Sequence, residues 1–140
     1  MKGTLERIRR LREHGKRLAH IELVRAETER ASHLQRRKLL EQRIEAARNA
    51  ADQGSAEDLA SYHSFRMRME VVSRRQEHAL RQAELRVEDR REKVSAAARE
   101  AEVVKVMLQA REEEARVEEV RAERSANDEA ALVAWLKRAS

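Results

Sequence analysis

A chain of 140 residues with 41% charged side chains, only Tyr62, Phe65 and Trp135 as aromatics, and neither proline nor cysteine excludes a thick globular core, disulfides and thiolate chemistry. The net charge of +5 is unevenly spread: residues 1–50 carry 14 Lys or Arg against 7 Asp or Glu, residues 51–90 carry 7 against 8, and residues 91–140 carry 10 against 11. The excess of positive charge in the first arm suits an acidic partner or nonspecific contact with nucleic acid.

The first predicted helix covers about 4–49. Its apolar stripe takes Ile8, Leu11, Leu18, Ile21, Val24, Ala31, Leu34, Leu40, Ile44 and Ala47. Gly15 sits on this stripe. It costs about 1 kcal/mol of helix propensity relative to alanine and would let a neighbouring backbone come close. The stripe leaves strict heptads between Leu18 and Ile21, which should alter local supercoil winding.

Residues 50–55 form the only strong turn signal, with Asp52, Gly54 and Ser55 clustered. Gly54 is expected to supply a left-handed backbone. Ser55 and Asp58 have the spacing of a capping box, and Glu57 and Asp58 suit the positive end of the next helix dipole.

The second predicted helix covers about 56–137, without proline or glycine. Leu80, Ala83, Val87, Val94, Ala97, Ala101, Val104, Leu108 and Ala115 repeat every three or four positions, a heptad stripe that seeks a partner helix. Two long helices joined by a short loop predict one all-α unit over residues 1–140. It is a long antiparallel two-helix coiled-coil hairpin whose longer C-terminal helix overhangs. A turn centred near Gln53 would set Ile44 near Tyr62, Ile21 near Leu85 and Ile8 near Ala98. The first arm would end beside Val104, leaving residues 105–140 unpartnered. The seam is rich in alanine, so it buries little area and each layer contributes less than a leucine layer.

No apolar run reaches the roughly 20 residues needed to cross a bilayer, and no signal peptide is visible, so the expected compartment is cytoplasmic. The five histidines lack a persuasive metal-ligand spacing, and no glycine-rich loop can cradle a phosphate. An exposed helical hairpin offers no sheltered site for preorganised groups. A non-enzyme without cofactor or metal is therefore expected.

Tyr62, Phe65 and Met69 share one helix face close to the turn, either plugging the hairpin end or meeting a partner. Trp135, between Leu132 and Leu136, is either a binding hot spot or an end cap. Arg9, Arg10, Lys16 and Arg17 are candidate contacts on charge grounds. Nucleic acid is not the expected partner: acids are interspersed, and no aromatic residue interleaves with the basic ones in the first arm. A generic coiled-coil scaffold is the other class that the pattern allows.

Two segments carry a family resemblance. Residues 58–65 read Asp-Leu-Ala-Ser-Tyr-His-Ser-Phe, similar to the Leu, Tyr and Phe/Tyr opening of the second arm in the FliJ/YscO family of type III secretion stalk proteins. Residues 119–130, Glu-Val-Arg-Ala-Glu-Arg-Ser-Ala-Asn-Asp-Glu-Ala, resemble that family's late E-x-R-x-E-x-x-x-x-D-E-A segment. Glu119, Arg121, Glu123, Asp128, Glu129 and Ala130 carry over onto it. The start, Leu5-Glu-Arg-Ile-Arg-Arg-Leu-Arg-Glu13, departs from the phenylalanines and Leu-rich stretch of many flagellar members and is closer to the injectisome branch. The resemblance implies a cytoplasmic stalk beside the inner-membrane export machinery. Its implied partners are the hexameric export ATPase, the export gate and, in several members, secretion chaperones.

Overall fold

The computed structural model describes residues 2–139. Helix α1 spans Lys2–Asp52 and α2 spans Ala56–Ala139, with no strand among the described residues. The two helices pack against each other as an all-α hairpin, antiparallel because cross-helix pairs join Glu22 to Arg90 and Glu29 to Arg86.

The link occupies residues 53–55. The Gly54 amide donates to the Ala51 carbonyl at 3.1 Å, closing α1. The Asp58 amide donates to Ser55 Oγ at 3.3 Å, and the Ser55 amide donates back to Asp58 Oδ2 at 2.9 Å, completing the capping box with aspartate. The expected left-handed Gly54 is corrected: no described glycine has positive φ. Gly54 serves instead by its missing side chain. A Cβ there would lie 2.8 Å from Asp58 Cβ and 2.9 Å from Cγ, in the space that the capping carboxylate fills.

The chain divides into two compact units, residues 15–97 and residues 1–14 with 98–140. In the first, Leu80, Ala83 and Val87 of α2 are buried, as are Ala26, Leu40 and Ala51 of α1. Val94 and Ala97 are half-buried. Glu29 Oε1 accepts from Arg86 Nη2 at 2.6 Å, fixing the register beside this seam. Arg30 Nε, Tyr62 Oη and Gln76 Oε1 are buried with no hydrogen-bond partner.

In the second unit, Leu5, Val104 and Leu108 form a small core, with Ile8 packed against it and Ala101 also buried. Arg12 Nη1 donates to Glu100 Oε2 at 2.9 Å. The expected register is corrected here. Ile8 packs against Leu5, Val104 and Leu108, farther along α2 than Ala98, and pairing extends to Leu108 instead of ending at Val104. Helical side chains lean towards their own N-terminus. In an antiparallel pair the α1 side chains therefore lean away from the turn and those of α2 towards it, so contacts join residues farther along α2 than a level-by-level count predicts. Beyond Leu108 every residue from 109 to 139 is exposed, Ala115 included.

The α1 stripe needs the larger correction. Leu11, Leu18, Ile21, Val24 and Leu34 are exposed, Leu11 at 68%, and so is Ala31. Ile21 and Leu85 both face outward instead of meeting. The middle of the inward face is Gly15, Ala19, Leu23, Ala26, Arg30 and His33. Within residues 15–97 the phase is steady: Ala19, Ala26, His33, Leu40 and Ala47 fall on one series of sevens. Following it through small and polar residues leaves the bulkier apolar residues of the middle outside.

Nor does Gly15 admit a neighbouring backbone: a Cβ there would meet nothing within 4 Å. Gly15→Ala should therefore recover helix propensity without a clash and stabilise the protein by about 1 kcal/mol. Urea titration followed by circular dichroism checks this. A lower midpoint would show that Gly15 has a packing role.

Candidate partner-binding surfaces

Near the turn, Tyr62 and Phe65 line a shallow groove with Ala47, Ala50, Ala51 and Ser61. Alanines on α1 leave room that the two rings only partly fill, so both stay half-buried. Met69 is also half-buried but lies outside the groove's lining. The Tyr62 hydroxyl is buried without a hydrogen-bond partner, and Asp58 and Ser61 add polar groups to an otherwise apolar groove wall.

The basic candidates of the first arm fall in different units, Arg9 and Arg10 in one, Lys16 and Arg17 in the other. Arg9 pairs with Glu6 at 3.1 Å. Arg10 and Arg17 are exposed, and Lys16 is half-buried. These are solvent-screened charges, each worth little alone and useful mainly as a field.

The late motif lies on the exposed part of α2. Glu119, Arg121, Glu123, Asp128 and Glu129 are all exposed, and Trp135 is 63% exposed beside exposed Leu132 and Leu136. Arg121, Asp128 and Glu129 share a shallow groove with Arg124, Ser125 and Leu132. Glu119 and Glu123 are not among its lining residues. Arg121 also borders a second groove with Ala110, Glu113, Glu114, Val117 and Glu118. Lys137 and Arg138 occupy the last turn, where positive charge complements the helix dipole.

Charge pairs line the hairpin flanks. Lys93 donates to Asp89 and draws its carboxyl below the ordinary value, with Arg90 contributing. Among the described residues no three His, Asp or Glu side chains gather as a metal-binding group, and no helix is long and apolar enough to cross a membrane. Arg68 and Arg75, which the residue pattern did not single out, are exposed and stand seven residues apart, as do Arg36 and Arg43.

The described residues thus form a two-helix all-α hairpin with open grooves and an exposed helical extension. The family described as FliJ, flagellar FliJ protein, matches residues 1–140, the whole chain, and the chain belongs to that family. It is thus a component of the flagellar or type III export class, a family whose role is non-catalytic. Neither the curated proteins nor the solved structures compared contain a match to it.

Proposed function

We propose that this protein is the stalk of a type III export apparatus. It binds the hexameric export ATPase, couples it to the export gate and escorts secretion chaperones, in the cytoplasm beside the inner-membrane machinery. The observation that carries this reading is residues 109–139: a helical extension exposed along its whole length, bearing the family-like motif and Trp135. At 1.5 Å per residue this segment is about 46 Å long. Isolated amphipathic helices gain most of their stability from packing, so such an extension suits insertion into another assembly. Coupling is mechanical in this reading, because the hairpin supplies contacts and the ATPase supplies the chemistry.

The +7 balance of residues 1–50 would steer and orient that encounter. Reversing Arg9, Arg10, Lys16 and Arg17 to glutamate is expected to weaken ATPase binding about tenfold or more at low salt and to flatten its salt dependence. Binding isotherms over a salt series check this. Unchanged affinity at low salt would remove these four residues from the interface.

A further inference from the structure

In the unit of residues 15–97, α1 places Glu22, Glu29, Arg36 and Arg43 at intervals of seven. The first two are answered across the seam by Arg90 and Arg86. The second two are not. Arg75 precedes Arg86 by about three helical turns and Arg68 by about five, so both lie on the side of α2 that bears Arg86. By the same count Arg36 and Arg43 lie on the side of α1 that bears Glu29. Along this flank the pairing changes from Glu–Arg to arginine on both helices.

All four arginines are exposed, and none has a carboxylate within 4.0 Å. The helical phase that places them on this flank also brings Ser32, Leu39 and Ala46 of α1 there, with Ser64, Val72 and Ala79 of α2. No Asp or Glu shares that phase between residues 30 and 50 of α1 or between 60 and 82 of α2. Like charges opposed across a seam are destabilising, so the hairpin by itself gains nothing from this arrangement. A partner that neutralises them would.

We propose that this flank is a docking site for an acidic amphipathic α-helix of a partner protein. The arginines recur every seven residues, about 10.5 Å along each helix. Carboxylates at every seventh position of a third helix match that spacing. An apolar stripe beside them would cover Leu39 and Val72. A nucleic acid fits less well: its phosphates follow every ~3.4 Å along a strand, the flank offers no aromatic platform for bases, and a phosphate backbone has no use for the apolar strip.

The test uses the full chain and a fluorescein-labelled helical peptide with glutamate at every seventh position beside an Ala/Leu stripe. Its isomer, of the same composition with glutamate at every fifth position, is the control. Anisotropy should show the first peptide binding about tenfold more tightly than the isomer, with R68E/R75E removing that preference and R99E/R111E, equal in charge change, retaining it. Because R68E/R75E sets glutamates opposite Arg43 and Arg36, its melting temperature should not fall, which separates lost binding from lost folding. R36Q/R43Q should weaken the preference without reversing any charge. Equal binding of the two peptides would overturn the proposal, as would tighter binding of single-stranded DNA. Self-association abolished by R68E/R75E would make the occupant a second copy and overturn the assignment to a partner protein.

Discussion

Val87→Asp will disrupt residues 15–97, whereas Leu85→Asp, two positions away, will leave them nearly unchanged. Val87 is 1% exposed and lies in the seam, while Leu85 is 63% exposed on the far side of the same helix. An aspartate at Val87 would be an uncompensated charge in the contact, a class of defect costing about 3–5 kcal/mol. For a unit of this size that corresponds to a melting temperature lower by about 15–30 °C. The alanines around it leave few other buried groups to offset the loss. A surface change such as that at Leu85 stays within about 0.5 kcal/mol. Thermal melts by circular dichroism distinguish the two. Equal destabilisation would mean that α2 turns another face to α1.

The isolated protein should exchange its amides fast beyond residue 109 and slowly between Leu80 and Val94. Adding the export ATPase should slow the first region strongly. The basis is exposure: every residue from 109 to 139 is bare, while Leu80, Ala83 and Val87 are buried. Local opening is cheap where few apolar contacts are lost. If the terminal turns join the interface, Trp135 emission should shift to shorter wavelength as its ring leaves water. Self-association would also protect the segment, so the exchange is measured over a range of protein concentrations. Protection that is the same at every concentration, with no change on adding the ATPase, would defeat the stalk mechanism.

The two helices were unequally legible in the sequence. The stripe on α2 was readable because its seam residues are the bulkiest apolar ones at their spacing: Leu80, Val87, Val104 and Leu108 are all buried. On α1 the weight of leucine and valine pointed to the wrong side. Leu18, Ile21 and Val24 are exposed, while Ala19, Ala26 and His33 carry the contact through the middle. An eye for hydrophobicity passes over alanine, but alanine is what lets two backbones close on one another. The late motif was legible as a run of residue types. That Arg121, Asp128 and Glu129 share a groove without Glu119 and Glu123 was not.

Residue order alone showed two helices and the cap of the second, and set the break to within a few residues: the turn expected at 50–55 is a link of 53–55, with α1 running on to Asp52. Those are local matters: the spacing of apolar residues along one helix, the absence of proline, and a serine and an aspartate three residues apart. Which face of α1 meets α2, how far along α2 the pairing runs, and why Gly54 is glycine became visible only with the helices packed together. Face and register depend on what the opposite helix offers, and on side chains that lean in opposed directions once the helices run antiparallel. The uncompensated arginines at 36, 43, 68 and 75 belong to the second kind. Along either helix they are ordinary solvated charges; across the folded pair no carboxylate lies within 4.0 Å of any of them.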